Sequence, residues 1–153
     1  MTRVQVKRWG GAAVAALTLT GAVVMAQGKA ATPTVLVHKT PTCGCCGKWV
    51  SHLEAAGFKV EVQNHDEMTA SRAQHKLPEA TRSCHFALVG PYVVEGHVPA
   101  ADVKKLLASK PAIKGIAVPG MPAGSPGMES PNPQKYDTLA FTADGKTSVF
   151  ASH

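Results

Sequence analysis

The sequence Thr40-Pro41-Thr42-Cys43-Gly44-Cys45-Cys46-Gly47 places three thiols within four positions, directly after the apolar run Val35-Leu36-Val37. The apolar run predicts a buried strand, and residues 48–56, followed by Gly57, predict a helix. The thiols are therefore expected at the N-terminus of a helix, where unpaired backbone N–H groups and the helix dipole favour anions. Such a position favours the thiolate, the form of cysteine that attacks disulfides and binds metals.

Strand and helix signals alternate after this motif and predict an α/β layer fold. The predicted elements are strand 35–39, helix 44–56, strand 59–63, helix 67–76, strands 85–89 and 92–95, and helix 99–109. A βαβ unit, a helix, a β-hairpin and a closing helix follow one another in the thioredoxin and glutaredoxin order. Thioredoxin-like folds keep their active site after the first strand, which is where the three thiols lie in this chain.

The composition changes after Pro111. Residues 118–128 are rich in Pro, Gly and Met and predict a long surface loop. Strand propensity returns over residues 138–151, with a turn at residues 142–145, and predicts a C-terminal β-hairpin. We therefore interpret residues 35–153 as a single thioredoxin-like metal-binding domain.

The N-terminus has the features of an export signal. Three basic residues precede an apolar stretch of small residues that reaches Met25, and Val24-Met25-Ala26 suits a signal peptidase. We predict a signal peptide over residues 1–26, a tether over residues 27–34, a periplasmic location and no membrane span after cleavage. The alternative is an uncleaved N-terminal anchor.

Charge and composition argue against nucleic acid as a partner. The net charge is +6, and removing residues 1–26 takes away three basic and no acidic residues, which leaves +3. Aromatic residues are few, and the basic residues are scattered rather than clustered. In an oxidising compartment, four cysteines would most often form two disulfides.

A fourth thiol is expected to join the first three. In a thioredoxin-like fold the turn before the third strand packs against the thiols that begin the helix, and it ordinarily holds a cis-proline. Ser83-Cys84-His85 occupies this place here. Cys84 would then face Cys43, Cys45 and Cys46, and four thiolates suit a soft cation such as Cu(I). Zinc sites with four cysteines normally use two separated C-x-x-C pairs, which this chain lacks.

Methionines and histidines extend the candidate ligand set. Met121 and Met128 lie in the Pro/Gly loop, and thioether sulfur binds Cu(I) well and zinc poorly; ordinary packing under the loop is the alternative. His85 either joins the thiols or faces the other side of its strand. His97 is a candidate ligand or a structural hydrogen-bonding group, and His38 is a candidate to support the ligands from behind. The polar surroundings of His65 and His75 favour no function.

The motifs resemble the CopG-like periplasmic proteins, which are associated with bacterial copper resistance. The similarity spans residues 35–129 and includes the C-x-C-C motif, Ser83-Cys84-His85, the segment 94–100, and Gly120-Met121-Pro122 through Gly127-Met128-Glu129. The resemblance implies a thioredoxin-like fold, export, and a copper site formed by the thiolates of Cys43, Cys45, Cys46 and Cys84. It also implies a role in copper handling or copper redox chemistry. We expect copper ions and other periplasmic copper-handling proteins as partners.

Three functions remain open from the sequence. The first is an exported protein that holds Cu(I) in a thiolate cluster, with oxidation and reduction of copper as an additional activity. The second is a thiol-disulfide oxidoreductase, with Cys43 as attacking thiolate and Cys46 as resolving thiol. The third is a small exported domain cross-linked by two disulfides, in which neighbouring Cys45 and Cys46 would not pair with each other.

Overall fold

The computed structural model describes residues 33–153, together with Thr2. The predicted signal peptide and most of the predicted tether lie outside these residues. Within the described residues, seven strands and three helices follow one another in the order β1 (Val35–Lys39), α1 (Gly44–Ala55), β2 (Val60–Asn64), α2 (Thr69–Gln74), β3 (Phe86–Val89), β4 (Tyr92–Gly96), α3 (Ala100–Ser109), β5 (Gly115–Val118), β6 (Asp137–Phe141) and β7 (Thr147–Ser152). A 3-10 turn, Glu79–Thr81, precedes β3.

All seven strands belong to one mixed sheet in the order β2-β1-β3-β4-β5-β6-β7. Strand β1 runs parallel to β2 and antiparallel to β3, and β4 runs antiparallel to β3 and parallel to β5. Strands β5, β6 and β7 continue the sheet in an antiparallel arrangement. As a result, the C-terminal ends of β1, β4 and β5 and the N-terminal end of β3 lie along the same edge of the sheet.

The helices cover both faces of the sheet. Helices α1 and α3 pack on one face, where Trp49, Leu53, Val103 and Leu106 join Val35 and other strand residues in the main core. The other face holds a smaller core of Phe86, Val93, Ala117 and Phe141, with Met68 and Leu77 beside α2 packed against it. The same strands contribute residues to both cores, because successive side chains of a strand point to opposite faces of the sheet.

The predicted α/β class is confirmed, and the main differences concern boundaries and one strand. Helix α2 begins two residues later than the predicted helix 67–76, after the Glu67 carboxylate, which accepts hydrogen bonds from the backbone N–H groups of Thr69 and Ala70. It also ends two residues earlier, before Lys76, whose φ is +52. Strand β5 was missed by the sequence analysis. It is only four residues long, and pairing with β4 and β6 on both sides stabilises it.

The hairpin predicted over residues 138–151 is present as β6 and β7. Among the described residues, no helix combines the length and the apolar character that a membrane span requires.

Candidate metal centre

Four segments meet at the sheet edge where β1, β4 and β5 end and β3 begins. Cys43 follows β1 and begins α1, Cys84 and His85 precede β3, and His97 follows β4. The loop after β5 completes this edge. The topology therefore gathers residues that are separated by up to 54 positions in the chain, from residue 43 to residue 97. We call Cys43, Cys45, Cys46, Cys84, His85 and His97 the edge cluster.

The sulfurs of the edge cluster lie within contact distance of one another. Cys43 and Cys46 form a disulfide, whereas Cys45 and Cys84 are free. The Cys84 sulfur lies 3.5 Å from that of Cys46 and 4.0 Å from that of Cys45, and the Cys43 and Cys45 sulfurs are 3.5 Å apart. Reduction of the disulfide would present four thiols whose sulfur atoms are already close enough to share metal ions.

Two buried histidines add nitrogen donors on the other side of Cys84. The Cys84 sulfur lies 3.3 Å from Nδ1 of His85 and 3.2 Å from Nε2 of His97. Both rings are almost completely buried, and they meet edge to face with centroids 5.0 Å apart. Cys84, His85 and His97 therefore form a second group of three donor atoms, which shares its sulfur with the four-cysteine group.

A backbone carbonyl fixes the proton of His97. Its Nδ1 lies 2.8 Å from the carbonyl oxygen of Pro126, which can only accept a hydrogen bond, so Nδ1 carries the proton. In the neutral ring Nε2 then offers its lone pair to Cys84. Such a second hydrogen bond is the usual way in which proteins orient a metal-binding imidazole.

Burial keeps both imidazoles neutral and the Cys84 thiol protonated in the metal-free protein. Desolvation, followed by the neighbouring His97, lowers the pKa of His85 to about 3, and desolvation also lowers the pKa of His97. Burial, with the nearby Cys45 thiol, raises the pKa of Cys84 to about 12. The Cys84 thiol thus ionises only when a cation replaces its proton, and metal binding at this site must release that proton.

The Pro/Gly loop packs directly against the edge cluster. Gly127 has φ +85, and a side chain there would meet the Cys45 carbonyl oxygen at 2.7 Å and the Trp49 backbone nitrogen at 3.0 Å. Gly120 is held at the other end of the loop, where its N–H donates to the Arg82 carbonyl and its own carbonyl accepts from the Ser83 hydroxyl. The Pro/Gly loop therefore packs against the edge cluster near both of its ends, with Gly120 at one contact and Gly127 at the other.

Met121 and Met128 each directly follow one of these two glycines. The Met121 side chain is 52% exposed, and Met128 is half-buried. The structure thus places both methionines next to segments that contact the cysteine-bearing backbone, and it shows no donor contact of either sulfur among the described residues. Their role as ligands stays a prediction.

A buried carboxylate holds the segment that carries Cys84. Glu95 on β4 pairs with Arg72 of α2, accepts a hydrogen bond from the Thr81 hydroxyl, and accepts the Ser83 backbone N–H at 2.9 Å. Both side chains of the ion pair are almost fully buried. Glu95 therefore ties the residue before Cys84 to the sheet and to α2 at once.

The sequence analysis left His97 open between ligation and a structural hydrogen bond. The structure shows that its two nitrogens face a sulfur and a carbonyl. The position of His97 in the sequence could have predicted its place near Cys84. A residue directly after β4 lies at the same sheet edge as residues directly before β3, because these two strands are antiparallel. His38 lies on the opposite face of the sheet from His85, so it does not support the edge cluster by direct contact.

Comparison with known proteins shows which family this chain belongs to. The family described as "Protein of unknown function, DUF411" matches residues 81–128, which contain Cys84, His85, His97, Met121 and Met128. Two solved structures, named "Copper resistance protein copG" in Form 1 and Form 2, are each 41% identical in sequence and cover 80% of this chain and 98% of their own. Their TM-scores are 0.74 and 0.75. No curated protein sequence matches the chain.

The fold and the edge cluster define a class of α/β proteins with a cysteine- and histidine-rich group of donor atoms at one edge of a mixed sheet. Within that class, the chain belongs to the CopG-like family.

Proposed function

We propose that this protein binds Cu(I) through the thiolates of Cys43, Cys45, Cys46 and Cys84 and serves in copper resistance. The single observation that carries the proposal is the convergence of four cysteine sulfurs at one sheet edge. Soft sulfur donors select Cu(I), and a crowded set of thiolates can bridge several such ions. The name of the related structures, copper resistance protein, supports copper as the metal.

The order β2-β1-β3-β4, with β1 parallel to β2 and the other neighbours antiparallel, supports the thioredoxin-like description of the first four strands. On that basis the cysteines occupy the place of a redox motif. Cys84 stands where such folds ordinarily place a cis-proline, and the described residues contain no cis peptide bond. This replacement supports binding of a cation rather than of a peptide substrate.

Binding requires the Cys43–Cys46 disulfide to be opened. An external dithiol supplies the two electrons and two protons that convert it into two thiols, and is itself oxidised to a disulfide. The four thiols then lose protons as they bind Cu(I). His85 and His97 face Cys84 as neutral bases and are candidate ligands, with Met121 and Met128 completing the site from the loop. We further propose that residues 1–26 direct export to the periplasm, where copper ions and other copper-handling proteins would be the partners.

An anaerobic titration tests the copper proposal. The mature protein, reduced with a phosphine, is titrated with Cu(I) in the presence of a chromophoric chelator that competes for the metal. We expect more than one tightly bound Cu(I) per chain and loss of that stoichiometry in Cys84→Ser. Failure of the wild-type protein to compete with the chelator would contradict the proposal.

The Cys43–Cys46 disulfide favours a second candidate, a dithiol-disulfide oxidoreductase. The disulfide spans the C-x-x-C spacing of redox-active pairs, and it lies at the N-terminus of α1. Cys45→Ser separates the two candidates. Exchange with a glutathione buffer should survive this substitution, whereas a four-thiolate copper cluster should lose stoichiometry.

Copper itself is a possible electron acceptor for the same pair. Two Cu(II) ions would each take one electron from the Cys43 and Cys46 thiols, which would form the disulfide and release two protons, leaving two Cu(I). Stopped-flow mixing of the reduced protein with Cu(II) tests this step. Disulfide formation that is not matched by two equivalents of Cu(I) would contradict it.

A further inference from the structure

One peptide group of the Pro/Gly loop connects an acidic side chain with the edge cluster. The carbonyl oxygen of Pro126 accepts the Nδ1–H of His97 at 2.8 Å. The N–H of the same peptide group, on Gly127, donates to the Glu129 carboxylate at 2.6 Å. On the far side of the imidazole, Nε2 of His97 lies 3.2 Å from the Cys84 sulfur. Three short polar contacts therefore lead from an exposed carboxylate to a sulfur of the site.

The donors and acceptors of these contacts all point the same way. A carboxylate and a carbonyl can only accept, and a backbone N–H can only donate, so His97 has its proton on Nδ1 and a lone pair on Nε2. Hydrogen bonds to an ionised acceptor are stronger than those between neutral groups, and neighbouring hydrogen bonds polarise one another. The charge of Glu129 therefore makes the Pro126 oxygen a better acceptor and, through it, makes Nε2 of His97 a better electron donor.

Packing brings this peptide group close to the site. Gly127 is buried with φ +85, and a side chain there would meet the Cys45 carbonyl oxygen at 2.7 Å and Nδ1 of His97 at 3.4 Å. Among the described residues, the acceptor for the Gly127 N–H is the Glu129 carboxylate. The orientation of the peptide group therefore depends on the packing of Gly127 and on this one carboxylate.

Carboxylates commonly support a metal-binding imidazole in proteins by accepting its second N–H directly. Here a peptide group stands between the two. We propose that Glu129 is a positioning residue for His97: through the Pro126–Gly127 peptide group, it fixes the imidazole proton on Nδ1 and directs Nε2 towards Cys84. This positioning is a property of the metal-free protein. Its consequence for copper affinity rests on the proposed function, because an ion at the edge cluster would use the electron pair of Nε2.

Nuclear magnetic resonance of the metal-free protein tests the positioning without copper. Long-range proton–nitrogen correlation spectra of isotope-labelled protein report which ring nitrogen of His97 carries the proton. We expect the proton on Nδ1 in the wild type, the same tautomer with a weaker Nδ1 hydrogen bond in Glu129→Gln, and a mixture of both tautomers in Glu129→Ala. The reason for this order is that glutamine keeps an oxygen acceptor without its charge, whereas alanine removes the acceptor.

Glu67→Ala is the matched control for the resonance measurement. Glu67 is also exposed, and its carboxylate accepts the Thr69 backbone N–H at the same distance, 2.6 Å, but it lies at the start of α2. This substitution should leave the His97 tautomer unchanged. The same tautomer and the same Nδ1–H chemical shift in the wild type and in Glu129→Ala would overturn the proposal, as would an equal change in Glu67→Ala.

A double-variant cycle tests the consequence for copper. In the anaerobic competition titration, we expect Glu129→Ala to weaken Cu(I) binding by about tenfold, as for other groups that support a metal ligand. In the His97→Gln background the same substitution should cause no further loss, because the effects of residues that act as one unit do not add. Losses that add in the double variant would show that the carboxylate acts on copper directly, and would overturn the proposal. Absence of Cu(I) binding in the wild type would instead contradict the proposed function, and the tautomer measurement would then decide the positioning alone.

Discussion

At the scale of single residues, His97 is the side chain whose geometry says most about the site. Its Nδ1 donates to Pro126 and its Nε2 faces the Cys84 sulfur, so its contribution should be specific to metal binding. We expect His97→Gln to weaken Cu(I) binding by about tenfold, in line with losses seen when groups around a metal are removed. The competition titration measures this.

His52→Gln is the control for His97. Its Nε2 accepts the Ala100 backbone N–H and its side chain is partly buried, so it is an anchored ring like that of His97. Among the described residues, His52 makes no hydrogen bond with sulfur. Equal losses of Cu(I) affinity in both variants would indicate a structural role for His97.

The methionines can be separated in the same way. Met128→Leu keeps the size of the side chain and removes the thioether, so we expect a severalfold loss of Cu(I) affinity if its sulfur binds the metal. Met68→Leu is the matched control, because Met68 packs beside the smaller core on the other face. Identical titrations for Met128→Leu and Met68→Leu would remove Met128 from the ligand set.

Gly127 provides a residue-scale test of the loop. Gly127→Ala introduces a side chain at φ +85 and against the backbone of Cys45 and Trp49. Gly145→Ala has almost the same φ, +82, and its nearest atom lies at 3.8 Å. Both should lose about 1–2 kcal/mol of stability from the left-handed backbone, and Gly127→Ala should lose more because of the close contact.

Urea unfolding of the two glycine variants measures the difference. If both lose the same free energy of unfolding, the loop does not press on α1 as the structure indicates.

At the scale of elements, the buried Arg72–Glu95 pair joins α2, β4 and the segment before Cys84. Removing one partner of a buried pair leaves an uncompensated charge, which typically costs about 3–5 kcal/mol. We expect Glu95→Gln to destabilise the protein by about this amount and to weaken Cu(I) binding through the displaced Cys84. Glu79→Gln, which breaks an exposed pair with Arg82, should change neither the urea midpoint nor the copper affinity.

The elements also show what local sequence signals can and cannot predict. Strand β1 and helix α3 have clear periodicity and clear limits, and the structure places them within a residue of the predicted bounds. Strand β5 has only four residues, and the nearest sequence signals that could mark its ends are Pro111 and the Pro/Gly loop. Its strand conformation therefore depends on pairing with the neighbouring strands of the sheet. Its absence from the prediction hid the fact that the C-terminal hairpin continues the main sheet.

The residues of the candidate site also differ in whether local sequence signals could predict them. Cys43, Cys45 and Cys46 are adjacent in sequence and were found directly, and Cys84 followed from the order of elements. The ring contacts of His38 with His65 and His75 were not foreseen, because three single histidines on a strand, a loop and a helix end have no common pattern. The pairing of β1 with β2 brings His38 and His65 together, and the packing of α2 beside β3 adds His75.

At the scale of the whole molecule, the buried neutral histidines predict how stability depends on pH. Unfolded histidine binds a proton near pH 6.5, whereas the folded protein holds the pKa of His38 at about 4 and that of His85 at about 3. Below pH 6.5 the unfolded state therefore binds more protons, so stability falls as the pH decreases towards 4. Each such histidine contributes a slope of up to about 1.4 kcal/mol per pH unit.

Urea unfolding of the metal-free protein between pH 7.5 and 4.5 measures this slope. His38→Phe removes one titrating ring while keeping an aromatic group beside Phe86, and the slope should decrease by about one proton. A stability that does not change between pH 6.5 and 4.5 would contradict the burial of these rings.

Because four distant segments meet at one sheet edge, copper binding there should change the stability of the whole folded protein. A copper ion that is bound by donors from two of these segments would link the segments to each other in the folded state. Copper binding should therefore raise the melting temperature, and the increase should depend on the free copper concentration. Amide hydrogen exchange should slow most in residues 119–128 and around Ser83. In this part of the protein the loop is attached by the hydrogen bonds of Gly120 with Arg82 and Ser83 and by the hydrogen bond from His97 to Pro126. The melting temperature would therefore measure how much copper the protein holds, without a chromophoric chelator.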